Sequence, residues 1–325
     1  MIIPPKLQKG DEIRVIAPSR SLSLISDEVK EIATKRLEEL GFKVTFSKNC
    51  EESDMFMSSS IQSRVEDLHE AFADKNVKAI LSVIGGFNVN EILKYLDYHL
   101  IKKNPKIICG YSDTTALTNA ITAKTGLITY SGPCFSLFGI RKESEYNIEN
   151  FEKCLTSEKE FEIIPSPTWS DDEWYMNQEN RNLIPHEGYW IINKGEAKGE
   201  IIGGNLCTLN LLQGTEFMPS IKDKILFIED DYESVIVNFG RDLQSLIHLP
   251  YFKHVKAIVI GKFQNKSEVT REQLEYMIKT KKELANIPIV ANVNFGHVNP
   301  IITFPIGGTA SLKVDDKIEL KILRH

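Results

Sequence analysis

The sequence has no apolar run approaching 18 residues, no long basic stretch and no paired cysteine motif, and each absence narrows what its 325 residues can form. Without the apolar run there is no segment for a membrane-spanning helix. Without the basic stretch, and with a formal charge of −6, there is no electrostatic footprint for nucleic acid or an anionic membrane, so a small or peptide-like partner is expected. The five cysteines, Cys50, Cys109, Cys134, Cys154 and Cys207, are odd in number and form neither a C-x-x-C pair nor a Cys/His cluster of zinc spacing. They read as buried or free thiols of a reducing compartment. The histidines make no i, i+4 metal pair, so no metal is expected, and no cofactor either. The start, MIIPPKLQKGDEIRVIAP, lacks a charged region followed by an apolar one, and a cytoplasmic location is expected.

What is present is a regular alternation. EIRVIAPS, KVTFSK, AILSVIG and KIICGYS are short apolar runs, separated by helical patterns over about 26–40, 60–73 and 89–95. Strands alternating with helix-length segments indicate a parallel sheet covered by helices, so the N-terminal half is expected to be α/β. From Pro165 to Gly199 the composition shifts to Pro, Asn, Asp and tryptophan, as in a binding loop or an interdomain linker. Beyond it a second unit is expected, α/β or mixed β, ending in a hairpin that turns at Asp315-Asp316. The expected divisions are 1–165, 166–199 and 200–325.

In open α/β sheets ligands gather at the carboxyl ends of strands, which singles out the polar residues just after apolar runs. Ser112 follows KIIC and precedes a helix, so its hydroxyl would stand on a tight strand-to-helix bend near free backbone N–H groups. Glu229 follows KILFI, and His297 follows IPIVANVNF. Hydroxyl, imidazole and carboxylate are the parts needed to deprotonate a serine, shuttle the proton and hold the imidazole in one tautomer. Each residue also has a plainer reading: Ser112 as a helix cap, Glu229 as part of the acidic string Glu229-Asp230-Asp231, His297 as a turn residue. Gly85-Gly86, directly after a strand, allows close backbone approach and could aim an N–H at an oxyanion. Neither G-x-G-x-x-G nor G-x-x-x-x-G-K-[ST] occurs there, which disfavours a nucleotide-phosphate loop. Gly203-Gly204-Asn205 is a second such turn, compatible with a helix start at Asn205 or with ligand contact. Of Trp169, Trp174 and Trp190, Trp174 is the better stacking candidate and Trp190 the better core residue.

With those residues placed, the chain resembles the LD-carboxypeptidase family of serine peptidases, which includes the microcin C self-immunity (MccF-like) subgroup. The resemblance runs over essentially the whole chain: RVIAPS, the Gly85-Gly86 turn, GYSD around Ser112, IIGGNL, the strand into Glu229, and GH-x-x-P-x-x-x-x-PIG from Gly296 to Gly307. It implies a Ser112, Glu229, His297 triad in a groove between an N-terminal and a C-terminal domain. It also implies an oxyanion hole at Asp113 N–H and the Gly85-Gly86 turn, and a homodimer. The implied chemistry is hydrolysis of an amide next to a free carboxylate. Murein-recycling members release a terminal D-alanine, whereas MccF-like members cleave peptidyl or aminoacyl nucleotide conjugates with a tryptophan-bearing loop, which the WSDDEW segment resembles. Gly204, Asn205 and Trp174 are the expected substrate contacts. Two other classes stay open: an α/β-hydrolase esterase, weakened because GYSDT lacks the second glycine of G-x-S-x-G, and a non-catalytic two-domain binding protein.

Overall fold

Ser26 accepts a hydrogen bond from Val29 N–H at 3.3 Å and Ser60 one from Ser63 N–H at 3.0 Å. These caps satisfy donors that the first turns of helices Asp27–Glu39 and Ile61–Ala73 leave unpaired. In the first of these helices Val29, Ala33 and Leu37 recur every four residues and form the buried stripe. Between such helices run short strands buried on both faces, such as Glu12–Ile16 and Ile107–Gly110, as a parallel sheet covered by helices requires.

The computed structural model describes residues 1–325 as a mixed α/β fold with two large sheets, so the expectation of an α/β unit followed by a second unit, α/β or mixed β, is borne out. The first sheet has the order Phe304–Ile306, Thr129–Ser131, Ile107–Gly110, Val77–Ser82, Glu12–Ile16, Lys43–Phe46. All its pairs are parallel except the one made by Phe304–Ile306. The second sheet has a parallel centre, Gly195–Asn205, Lys224–Glu229, Ala257–Gly261 and Ile289–Val293. Antiparallel strands flank it, including the C-terminal hairpin of Thr309–Val314 and Ile318–Arg324. No helix is long and apolar enough to cross a membrane. The short helical stretch Val89–Tyr95 is 3-10, and a later helix spans Arg271–Lys279. Thr280 is a weak helix former, and the like charges of Lys279 and Lys282, three positions apart, disfavour a further turn.

Each sheet borrows a strand from the other half of the chain. Phe304–Ile306 lies antiparallel to Thr129–Ser131 in the first sheet, and Phe161–Glu162 pairs with Ile318–Arg324 in the second. Both apolar clusters likewise draw on both sheets, one joining Ile13 and Ile107 to Phe227 and Phe304, the other Ile16 and Ile80 to Ile202 and Ile228.

The closest seam runs between helix Thr114–Thr125 and the end of strand Gly195–Asn205. Asn119 Nδ2 donates to Gly203 O at 2.7 Å while its Oδ1 accepts from Gly203 N–H at 3.3 Å. Thr115 Oγ1 accepts from Asn205 N–H at 3.0 Å. Gly203 and Gly204 have φ of +132° and +122°, which only glycine adopts without strain. A Cβ on Gly203 would strike the carbonyl oxygen of Phe227, and one on Gly204 would lie 2.5 Å from Thr115 Oγ1. Gly203→Ala should therefore lower the unfolding free energy by about 3–5 kcal/mol in urea titration, through conformation and overpacking together. Gly126→Ala, at φ +75° but facing open space, should lose only about 1–2 kcal/mol. Equal losses would mean that the seam does not explain Gly203.

Candidate active site

Strand Ile107–Gly110 ends one turn before helix Thr114–Thr125, and the bend between them holds Ser112 at φ +59°. A non-glycine residue in this left-handed region is strained, and the surrounding bonds hold it there: Thr115 N–H donates to Ser112 O at 2.9 Å and Thr114 N–H to Tyr111 O at 3.2 Å. The hydroxyl is thereby lifted clear of the strand at the positive end of a helix.

Strands of the second sheet deliver the other two groups. Lys224–Glu229 ends in Glu229, buried to 3% exposure, and His297 follows Ile289–Val293 by way of Gly296. Gly296 has φ +116°, and a Cβ there would lie 2.9 Å from Glu229 Oε2, so glycine is what lets the carboxylate reach the ring. His297 Nδ1 is 3.0 Å from Glu229 Oε2, and His297 Nε2 is 3.0 Å from Ser112 Oγ. A carboxylate only accepts, so Nδ1 carries the donated hydrogen and the neutral ring leaves Nε2 as acceptor for the Ser112 hydroxyl. The Tyr111 ring packs on the imidazole with centroids 5.5 Å apart.

Burial is the largest influence on His297 and disfavours the imidazolium, yet Glu229, with Asp231 and Asp230 behind it, outweighs it and holds the His297 pKa above its ordinary value of 6.5. Asp113 is buried to 2% exposure, and burial raises its pKa against the stabilising hydrogen bonds it accepts. Its Oδ2 accepts from Ser19 Oγ at 2.5 Å and from Val89 N–H at 2.9 Å, which ties three strand-end loops together. Gly85 lies against the serine: a Cβ on it would be 2.8 Å from Ser112 Oγ and 3.7 Å from Asp113 N. Gly86 passes equally close to Ser19 and Arg20, and Arg20 Nε donates to Gly85 O at 3.1 Å. Arg64, 2% exposed, donates to Asn88 O at 2.8 Å and binds Glu91 at 2.6 Å, bracing the same turn from helix Ile61–Ala73.

The structure thus brings Ser112, His297 and Glu229 into one chain of contacts and sets Gly85, Gly86 and Asp113 beside it. The remaining expected residues behave differently. Asn205 is 2% exposed and caps helix Leu206–Asn210, its Oδ1 accepting from Thr208 N–H at 3.1 Å, while Gly204 abuts Thr115. Trp174 is 8% exposed and belongs to the apolar core, so the exposed aromatic of its loop is Tyr175, at 60%. Trp169 is buried as well, with Lys262 Nζ 3.9 Å from its ring centroid. The loop spans the two units. Ser170 and Asn299 exchange backbone hydrogen bonds at 2.7 Å and Asp171 accepts from Asn265, whereas Gln178 bonds to Gly139 and Arg141. Burial, and then the neighbouring Glu173, raise the pKa of the Tyr175 hydroxyl, and Arg20 lies close enough to oppose them. Sequence reasoning missed Ser19, Arg64 and the Asp113 carboxylate. Ser19 carried a signal, since it too follows a strand, whereas Arg64 looks like one more helix-surface charge.

A serine at one sheet's strand end, facing an imidazole and a carboxylate from the strand ends of another, is the architecture of a serine-peptidase-type hydrolase. The LD-carboxypeptidase N-terminal domain matches residues 13–132, and the LD-carboxypeptidase C-terminal domain matches residues 198–312. The chain belongs to the LD-carboxypeptidase family, as its resemblance implied, and is a serine-peptidase-type hydrolase rather than a non-catalytic binding protein. It is 58% identical over 308 residues to "Putative carboxypeptidase YocD" of Bacillus subtilis, covering 95% of each chain. Among solved structures it is similar to an MccF-like protein from Bacillus anthracis, at 59% identity, full coverage of both chains and a TM-score of 0.99. It is also similar to MccF in complex with glutamyl sulfamoyl guanosine, at 31% identity, 99% and 98% coverage and a TM-score of 0.90.

The competing influences on His297 can be separated. In wild-type protein its ring protons should titrate by NMR with a midpoint above 6.5. In Glu229→Gln burial prevails and the midpoint should fall below 6.5. A midpoint unmoved by that substitution would contradict the assigned pairing.

Proposed function

We propose that this chain is a serine carboxypeptidase-type amide hydrolase in which Ser112 is the nucleophile, His297 the proton shuttle and Glu229 the orienting acid. The observation that carries the reading is the unbroken relay Ser112 Oγ to His297 Nε2 and His297 Nδ1 to Glu229 Oε2, both links 3.0 Å. Ser112 Oγ attacks the scissile carbonyl as Nε2 takes its proton. The resulting imidazolium is stabilised by Glu229, and the carbonyl oxygen turns toward the Asp113 N–H and an N–H of the Gly85-Gly86 turn. His297 then returns the proton to the leaving nitrogen, and a water activated by the same ring releases the acyl group. In this reading residues 1–165 carry the nucleophile, 166–199 supply the substrate loop, and 200–325 carry the base and its acid.

The substrates we assign are peptidyl or aminoacyl nucleotide conjugates of the processed microcin C type. Similarity to the MccF-like protein and to MccF bound to a glutamyl sulfamoyl nucleoside supports this. The loop from Ser170 to Gln178 closes the leaving-group side, with Trp174 as its packed base and Tyr175 as the face offered to a nucleobase.

Ser112→Ala and His297→Ala should each reduce amide hydrolysis by up to about a million-fold, with circular dichroism and melting unchanged. Near-normal turnover in either would remove the mechanism. Tyr175→Ala should lower kcat/KM for an aminoacyl sulfamoyl adenosine by about tenfold or more, the scale of one stacking contact, and leave a murein LD-tetrapeptide little affected. Equal losses would indicate a murein peptide as the substrate and the loop as a general lid.

A further inference from the structure

Strands Glu12–Ile16, Val77–Ser82 and Ile107–Gly110 run parallel, so the loops that follow them, carrying Arg20, the Gly85-Gly86 turn and Ser112, gather at one end of the sheet. The main chain around Arg20 is pinned by its neighbours: Ser58 Oγ donates to Ser19 O at 2.5 Å, Ser21 N–H donates to Met57 O at 2.9 Å, and Ser19 Oγ holds the Asp113 carboxylate. From that base the Arg20 side chain makes one hydrogen bond, from Nε to Gly85 O at 3.1 Å. The acids lining the same cavity are engaged elsewhere: Glu91 binds Arg64, and Asp54 accepts from the N–H groups of Phe56 and Ser58 at 2.8 and 3.1 Å. The guanidinium is left as a cation whose partner is a backbone carbonyl.

That carbonyl belongs to the peptide whose N–H is that of Gly86. In a planar trans peptide the C=O and N–H point in opposite directions, so tying Gly85 O to Arg20 turns Gly86 N–H away from the guanidinium and fixes the plane in which it lies. Neither Gly86 N–H nor Asp113 N–H donates to a backbone carbonyl, so both are spare donors. They stand beside the serine: a Cβ on Gly85 would lie 2.8 Å from Ser112 Oγ and 3.7 Å from Asp113 N. A Cβ on Gly86 would strike Ser19 Oγ and lie 2.9 Å from Arg20 Cγ, so the turn is pressed between Ser112 on one side and Ser19-Arg20 on the other. A charged donor on a peptide oxygen also polarises the peptide and strengthens the N–H on its far side.

We propose that Arg20 is a positioning residue for the oxyanion hole: it fixes the Gly85-Gly86 peptide so that Gly86 N–H meets the negative oxygen formed when Ser112 attacks, and its charge strengthens that donor. Ser19 serves the second donor, because its hydroxyl holds the Asp113 side chain while Asp113 N–H faces the same oxygen. Two consecutive residues after the first strand thereby set both donors. The inference rests on Ser112 as nucleophile and not on the identity of the leaving group. Arg20 acts through the turn, so its loss weakens the transition state and leaves substrate binding unchanged.

The test compares Arg20→Met, which removes both the hydrogen bond and the charge, with Arg20→Lys, which keeps a cationic donor. The substrate is whichever of an aminoacyl sulfamoyl adenosine and a murein LD-tetrapeptide the wild type turns over faster. Arg20→Met should lower kcat by about ten- to hundredfold at unchanged KM, a part of the hundred- to thousandfold attached to a whole oxyanion donor, and Arg20→Lys should recover most of the loss. A loss carried by KM would make Arg20 a substrate-binding residue, and an unchanged kcat would leave it no part in the reaction; either overturns the proposal. Residual dipolar couplings read the direction of the Gly86 N–H bond without reference to activity. That bond should rotate in Arg20→Met and keep its wild-type direction in Arg20→Lys. An unrotated bond in Arg20→Met would refute the positioning role even if kcat fell. Rotation in a protein without Ser112-dependent hydrolysis would refute the catalytic reading, with the anchoring of the turn by Arg20 left standing.

Discussion

The paired hydrogen bonds between Asn119 and Gly203 are the constraint on which the rest of the site depends. Asn119 lies on the helix that begins just after Ser112, and Gly203 lies in the strand beside the one that ends at Glu229. Each half of the relay is thereby referenced to the same contact. A side chain at Gly203 or Gly204 would push helix and sheet apart, and a 3.0 Å link between Ser112 and His297 tolerates little displacement. Strand exchange reinforces the seam: Phe304–Ile306 and Phe161–Glu162 each leave their own half for the other sheet. Opening the groove by hinge motion would break main-chain pairing as well as apolar contact.

Around that seam the charge is distributed unevenly. The serine side is held by hydrogen-bonded groups: Asp113 takes donors from Ser19 and Val89, Arg20 donates to the Gly85 carbonyl, and Arg64 is paired with Glu91. On the histidine side Glu229, Asp230 and Asp231 follow one another at a strand end with no ion pair except that to His297. The same acidic string thus raises the basicity of the imidazole. One sequence feature, which by itself reads as a solvated turn, serves proton transfer.

Much of this was legible beforehand, for identifiable reasons. Ser112, Glu229 and His297 could be proposed together because each stands directly after an apolar run, and strand carboxyl ends gather in α/β folds. Helices starting near Ser26 and Ser60 were legible from their helical periodicity, and the structure shows both serines as caps. The strand Phe304–Ile306 was not, because its partner, Thr129–Ser131, is some 170 residues away and three residues carry no usable period. Trp174 was misjudged as an open stacking face because burial of a loop aromatic depends on what the loop folds onto. The Asp113 carboxylate and Arg64 act through loops that are neighbours only in space.

The sequence by itself determined local matters: alternating strands and helices, capped helix starts, glycines where the chain must pass close, and the chemical identity of the three groups in the relay. These follow from backbone sterics and from hydrogen bonds between residues a few positions apart. Tertiary structure alone decided that a hydroxyl, an imidazole and a carboxylate spread over 185 residues meet at 3.0 Å, and that Tyr175 rather than Trp174 is the exposed aromatic. Distances of that kind are set by packing two sheets against one helix, and no local pattern encodes them.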